Sequence, residues 1–183
     1  MPKVLIPLAQ GCEELEAITL IDILRRADVD VVTAGLDSKP VKSSHGVTIL
    51  PDTTLAEAMN DSYDMVILPG GLPGADHLAA DNRLNALLKE MVESDRFVGA
   101  ICAAPQVLAK AGLLEGKTIT SYPGFVVSDD FPNVINTGSA LEKDGKIITS
   151  RGPGTAMDFA LELVRLLQGE AKRKVIEKAL VRP

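Results

Sequence analysis

Residues 96–114, RFVGAICAAPQVLAKAGLL, decide how the whole chain is read. Phe97 to Ile101 is a short apolar run behind the polar pair Asp95-Arg96, which suits a buried strand of a parallel sheet. The period then changes. Ala103, Ala104, Val107, Leu108, Ala111 and Leu114 recur at helical spacing, and Pro105 stands near the start, where a missing N–H does no harm. Cys102 falls on the joint between strand and helix, and Gly99, Ala100, Ala103 and Ala104 are small enough for a sharp turn. Such a turn lifts one side chain out of the sheet towards the free N–H groups of a helix start. These favour a thiolate and predict a thiol pKa well below the free value of about 8.5. An inert buried cysteine fits the same position, and position alone does not separate the two.

Outward from this joint the chain alternates. Val4 to Ala9 reads as a buried strand, Glu13 to Ala27 as a helix with Leu15, Ile18, Leu20, Ile21 and Leu24 on its apolar side, and Val29 to Gly35 as a second strand. After the polar turn Asp37 to Lys42 come a short strand, Val47 to Leu50, and a short helix, Thr54 to Met59, capped by Thr53 or Thr54. The apolar strand Met65 to Leu68 and the helix Asp81 to Ser94 lead to the central joint. Beyond it, Lys117 to Ser121 and Val134 to Asn136 read as strands, and Ala140 to Ser150 as a hairpin turning at Asp144-Gly145. A helix from Ala156 to Leu167 ends at Gly169, and an amphipathic helix follows from Glu170 to Leu180. The pattern predicts a single α/β domain over 1–183, a doubly wound, mostly parallel sheet with helices on both faces. Function in such sheets collects at the carboxyl ends of the strands.

Composition narrows the function classes. Of 183 residues, 46% are apolar and only 3% aromatic, so the core is aliphatic and large enough to need no staples. A formal charge of −6, with no basic patch interleaved with aromatics, argues against a nucleic-acid surface. No run reaches the roughly 18 apolar residues of a membrane span, and MPKVLIPLAQ lacks the apolar length and cleavage site of a signal peptide. Cys12 and Cys102 read as reduced thiols, which predicts a cytoplasmic protein. No Cys/His cluster has metal-ligand spacing, so neither metal nor cofactor is expected.

Two further stretches lie at the predicted carboxyl edge. In Cys12-Glu13-Glu14-Leu15-Glu16 the carboxylates open a helix, where the macrodipole favours them. Glu13 and Glu14 read as solvated helix-start residues, whereas Glu16 neighbours Cys12 at helical spacing and can point inward. In Leu68-Pro69-Gly70-Gly71-Leu72-Pro73-Gly74 the glycines let backbone N–H groups approach a ligand, or make an ordinary tight turn.

AQGCEELEAITLIDILRRA, DMVILPGGLPGA, VGAICAAP and TSRGPGTAMDFALELV together resemble the ThiJ/PfpI superfamily, in particular its small branch of the parkinsonism-associated protein and its bacterial homologues. The resemblance runs over essentially the whole chain. It implies a flavodoxin-like sheet, a homodimer and a nucleophilic cysteine at Cys102 on an elbow. Glu16 matches an inward glutamate held protonated beside the sulfur, which burial next to a thiolate makes reasonable. The N–H groups of Gly71 and Ala103 match an oxyanion hole, with Gly70 beside them. Arg26 matches an arginine near the dimer seam and the cysteine, and His45 stands where relatives often carry an arginine reaching the site mouth.

The chain also departs from the superfamily. The protease-like members carry a histidine directly after the cysteine, where Ala103 stands, and others place one about twenty residues downstream, where this chain has Tyr122. His77 reads as a residue of a surface turn. Cys-His protease activity is therefore not expected. The resemblance implies a cytoplasmic enzyme of reactive-carbonyl stress, a glutathione-independent glyoxalase or protein deglycase acting on a small dicarbonyl or a glycated amine or thiol. The alternative is an oxidative-stress sensor or redox-regulated chaperone in which Cys102 is oxidised to a sulfinate without turnover.

Overall fold

Strands that alternate apolar residues on two buried faces cannot stand alone; they form the middle layer of a sandwich of helices. The computed structural model describes residues 1–182. Its strands are β1 (Lys3–Leu8), β2 (Asp30–Gly35), β3 (Val41–Lys42), β4 (Thr48–Ile49), β5 (Thr53–Thr54), β6 (Met65–Leu68), β7 (Phe97–Ile101), β8 (Thr118–Ile119), β9 (Ile135–Asn136), β10 (Leu141–Asp144) and β11 (Ile147–Ser150). The helices are α1 (Glu14–Arg26), α2 (Leu55–Ala58), α3 (Gly74–Ala80), α4 (Asn82–Glu93), α5 (Pro105–Lys110), α6 (Ala156–Gln168) and α7 (Glu170–Ala179), with a 3₁₀ turn at Pro153–Thr155.

Seven strands form the main sheet in the order β10-β11-β7-β6-β1-β2-β5. All neighbours are parallel except β10, which pairs antiparallel with β11. From β1 the chain runs outward to β2 and β5, then crosses back to β6 on the other side of β1. The strand order therefore reverses between β1 and β6. The crevice at the carboxyl ends there is where a doubly wound sheet offers a site.

Each face has its own core. Val4, Ile6 and Leu8 of β1 and Met65 and Ile67 of β6 pack with Leu20, Leu24, Phe159 and Leu163 of α1 and α6. Leu5, Val66, Leu68 and Val98 pack with Leu84, Leu88, Val107 and Leu108 of α4 and α5 on the other face. On α1, Leu20, Ile21, Ile23 and Leu24 are buried, but Leu15 and Ile18 remain 51% and 45% exposed. Its apolar side is thus wider than its contact with the sheet.

Some elements differ from the sequence expectation, each for a local reason. The helix after the central joint stops at Lys110 instead of running to Leu114, because Ala111 ends it and Gly112 turns left-handed at φ 77°. Segments 117–121 and 134–136 shrink to β8 and β9, a parallel pair outside the main sheet. Side chains take the backbone donors there: Thr118 N–H goes to the Asp144 carboxylate at 2.9 Å and Thr120 N–H to Thr149 Oγ1 at 2.9 Å. The polar turn 37–42 contains β3, which pairs with β4. Thr53 and Thr54 add an edge strand to β2, and Thr54 caps α2 in a reciprocal box with Glu57. His77 lies on α3, not on a turn.

Phe159 is the largest fully buried side chain, and its ring lies so close to Gly99 that a β-carbon there would meet Cζ at 3.2 Å. Phe159→Ala is expected to lower stability by about 3–5 kcal/mol. Urea unfolding of the two proteins measures it, and a loss under about 1 kcal/mol would show that this face of the core can collapse around the gap.

Candidate active site

Three chain crossings meet at the crevice between β1 and β6. The first is the elbow after β7. Cys102 has φ 64°, a left-handed conformation that costs a non-glycine residue about 1–2 kcal/mol. The surrounding backbone enforces it: Cys102 N–H donates to Ser150 C=O at 3.0 Å, and Cys102 C=O accepts from Tyr122 N–H at 2.9 Å. Ala104 N–H closes the turn onto Ile101 C=O at 3.0 Å. A strained residue held from both sides at a strand-to-helix joint is the geometry of a nucleophile.

The second crossing is the glycine loop after β6. A β-carbon on Gly70 would lie 2.7 Å from Cys102 Cβ and 2.8 Å from Glu16 Oε2, so only glycine lets those two side chains share its flank. Gly71, at φ 87°, presses against the Cys12-Glu13 peptide, where a β-carbon would come within 2.4 Å of Glu13 N. The third crossing is the start of α1. Glu13 N–H donates to Gly70 C=O at 2.9 Å, and the Glu13 side chain caps the helix by accepting the Glu16 N–H at 2.8 Å. This aims Glu16 inward, as expected from its spacing.

Glu16 is completely buried. Its Oε2 accepts the Gly70 N–H at 2.8 Å, while Oε1 has no hydrogen-bond partner. The Cys102 thiol lies alongside, near enough to couple to the carboxyl without forming a well-aligned hydrogen bond to it. Burial pushes the carboxyl up to about 7; Gly70 N–H and the thiol oppose the rise, and the Glu13 charge adds to it. Burial likewise pushes the thiol up to about 12, reinforced by the charge of Glu16 and by their polar contact. The N–H groups of Ala103 and Gly71 face the sulfur and oppose that rise.

The expected low thiol pKa is therefore not found. The helix credited with it is only six residues long and begins three residues after Cys102. The higher value belongs to a thiol facing an ionised Glu16, and the two groups titrate as one unit. Burial and mutual repulsion oppose ionisation of both groups together, so the pair holds on to one proton when the other has left. Cys12, buried beneath the loop, is also pushed up to about 12, by burial and by Glu14 and Glu13.

The remaining candidates are placed as follows. Glu13 and Glu14 are not solvated helix-start residues. Glu13 is the cap just described, a role that the spacing Glu13-x-x-Glu16 could have signalled. Glu14 clasps the loop before β4, accepting from His45 N–H at 3.0 Å and Ser44 Oγ–H at 3.1 Å, with His45 Nδ1 at 3.1 Å. Burial alone would raise Glu14, but its own N–H and these loop donors hold its pKa at about 2. Glu13, Glu14 and His45 place three potential metal-ligand atoms within 4.8 Å of one another. Sequence spacing missed this group because His45 lies 31 residues from Glu14. Its oxygens already serve the cap and the clasp.

Arg26 does not approach Cys102 of its own chain. It lies in the last turn of a 13-residue helix, about 18 Å from the end that builds the site, and pairs with Asp22 at 2.7 Å. His77 lies exposed on α3. Tyr122, bonded through its N–H to the Cys102 carbonyl, is half-exposed beside the elbow.

A DJ-1/PfpI family model matches residues 2–166. Protein dj-1beta of Drosophila melanogaster is 43% identical over 183 residues, covering 97% of this chain and 95% of its own. A Caenorhabditis elegans relative named glutathione-independent glyoxalase DJR-1.2 is 36% identical, covering 93% and 91%. The structure of oxidized Toxoplasma gondii DJ-1 superposes with a TM-score of 0.93 at 38% identity, covering 99% of this chain and 98% of that one.

The raised carboxyl of Glu16 has a consequence for stability. Unfolded, the group titrates near 4.5; folded, near 7. The unfolded chain releases this proton first, so stability from the protonated form is complete below pH 4.5 and is lost as pH rises towards 7. The loss is about 3 kcal/mol. Urea unfolding from pH 4.5 to 7 should show this decline in the parent and not in Glu16→Gln, whose side chain does not titrate. Parallel profiles for the two proteins would show that Glu16 ionises in the fold as easily as in water.

Proposed function

The chain belongs to the DJ-1/PfpI family, and we propose that it is a cysteine-dependent enzyme of reactive-carbonyl stress, a glutathione-independent glyoxalase acting on small 2-oxoaldehydes such as methylglyoxal. The observation that carries this reading is the completely buried Glu16 carboxyl set beside Cys102 at the elbow, both against Gly70 and with one carboxyl oxygen free of any donor. The name of the nematode relative supports it.

As the aldehyde arrives, the sulfur adds to its carbon and the thiol proton passes to the Glu16 carboxylate. Charge developing on the carbonyl oxygen is met by the N–H groups of Gly71 and Ala103, which cost no reorganisation at that moment. Glu16 hands that proton on to the oxygen, which completes a hemithioacetal and leaves Glu16 a carboxylate again. Glu16 then takes the proton from the C1 carbon and returns it to C2 while the C1 hydroxyl proton passes to the C2 oxygen, leaving a thioester of a 2-hydroxy acid. Water cleaves the thioester, freeing lactate from methylglyoxal and restoring the thiol. Deglycation would begin at the same carbon, the sulfur–carbon bond forming as the bond to the amine or thiol breaks and that group leaves with a proton from Glu16. The protein would act in the cytoplasm; among the described residues no helix is long and apolar enough to cross a membrane.

A second reading rests on the unpartnered Glu16 Oε1 beside the sulfur, which could hydrogen-bond an oxygen of an oxidised Cys102. In that case the protein is a sensor and turnover is incidental.

Methylglyoxal turnover separates the readings. Wild type should form lactate, Cys102→Ser should form none, and Glu16→Gln should lose at least about a hundredfold in kcat, the scale of a lost general acid–base. Wild-type turnover by Glu16→Gln would remove the proton shuttle. Absent turnover, with a sulfinate by intact mass after peroxide, would favour the sensor.

The exposed Leu15 and Ile18 on α1 support a homodimer through that helix, with Arg26 near its seam. Sedimentation equilibrium should find a dimer at micromolar concentration, and Ile18→Asp should shift it towards monomer; a wild-type monomer would refute the assembly.

A further inference from the structure

The chain has eight arginines, and seven of them pair with a carboxylate at 2.5 to 3.2 Å. Arg151 has no such partner among the described residues and is exposed. In a chain of net charge −6 a guanidinium without a counter-ion is conspicuous. Its place in the fold is also particular. Arg151 follows Ser150, whose carbonyl accepts the Cys102 N–H, and Tyr122 donates to the Cys102 carbonyl. A cavity of about 310 Å³ opens between Tyr122, Pro123, Arg151, Pro153 and Thr155, so both of its walls are tied to the nucleophile's own peptide groups. The tyrosine ring rests on Gly152, where a β-carbon would lie 3.3 Å from Cδ2.

We propose that Arg151 is a specificity residue that binds a carboxylate at the far end of the substrate, so that the site prefers 2-oxoaldehydes bearing an acid group to neutral ones. This rests on the glyoxalase reading above and names its substrate class. The walls are a phenol ring and two prolines, which suit a short methylene segment. The guanidinium at the edge supplies a planar fork that fits a carboxylate with two parallel hydrogen bonds. Elsewhere a protein of net negative charge repels an anion, so the unpaired arginine is where the acid gains most. The far carboxylate keeps all its bonds through the reaction. Sulfur adds at the aldehyde carbon, one proton moves from C1 to C2, and water cleaves the thioester to a 2-hydroxy diacid.

The test uses 4,5-dioxopentanoate, an acid-bearing 2-oxoaldehyde, beside methylglyoxal, with wild type, Arg151→Gln and Arg151→Lys. Wild type should prefer the acid by about tenfold or more in kcat/KM. Arg151→Gln should bring that ratio close to unity through KM, and Arg151→Lys should restore part of it. In parallel, calorimetry follows the unreactive analogue 4-oxopentanoate on Cys102→Ser, with and without Arg151→Gln, and the second substitution should weaken binding about tenfold. A substrate ratio that Arg151→Gln leaves unchanged, or binding indifferent to it, overturns the proposal even if methylglyoxal is turned over. Arg151-dependent binding with no turnover of either aldehyde sustains the carboxylate site and overturns the glyoxalase reading instead.

Discussion

A carboxyl group with no solvent contact and one N–H for its two oxygens is the constraint around which the carboxyl edge of this sheet is built. Glu16 reaches its position only because Glu13 caps α1 and fixes the first turn, and because Gly70 has no side chain to block it. The same glycine borders Cys102. One missing β-carbon therefore serves two side chains from distant parts of the sequence. The close approach of Gly71 to the Cys12-Glu13 peptide locks the loop after β6 onto the loop after β1, which is the point where the strand order reverses.

Placing an acid and a thiol in one dry crevice denies either of them independent ionisation. Burial disfavours charge on both, and each disfavours charge on the other. The result is a unit with one labile proton near neutral pH. That is better suited to passing a proton between sulfur, oxygen and carbon than a free thiolate beside a free carboxylate would be. The flanking N–H groups of Gly71 and Ala103 bias the position of the charge without supplying a proton of their own. No histidine is needed for this arrangement, which fits Tyr122 and Ala103 standing where other branches carry one.

Much of this architecture was legible because β1, β6 and β7 are buried on both faces and so appear as unbroken apolar runs, while α1, α4 and α6 carry a 3.6-residue stripe. The two-residue strands were less so. β3, β4, β8 and β9 are held by pairings and side-chain bonds that composition does not encode, such as the Asp144 carboxylate taking the Thr118 N–H. At the site, the change of period puts Cys102 on the joint and helical spacing lets Glu16 point inward, but the pairing of the two comes from family resemblance. The roles of Gly71 and Ala103 came from family resemblance, and the clasp between Glu14 and His45 joins residues whose separation hides it. The thiol's pKa is less legible, because its burial, the largest influence on it, is a tertiary property, and the Glu16 charge that adds to burial comes from 86 residues earlier in the chain.

The left-handed backbone at Cys102 carries an evolutionary implication. Its conformation is held by the carbonyl of Ser150 and the amide of Tyr122, both bonded to its backbone, so the strain belongs to the position and not to the cysteine. Glycine would sit there with less strain and, by relieving it, would offset part of what the lost side chain contributes to packing. A lineage selected for durability alone would have reason to drift towards glycine at 102. Retention of a side chain at such a position is a mark of chemistry that can be read from one torsion angle, without knowing the substrate.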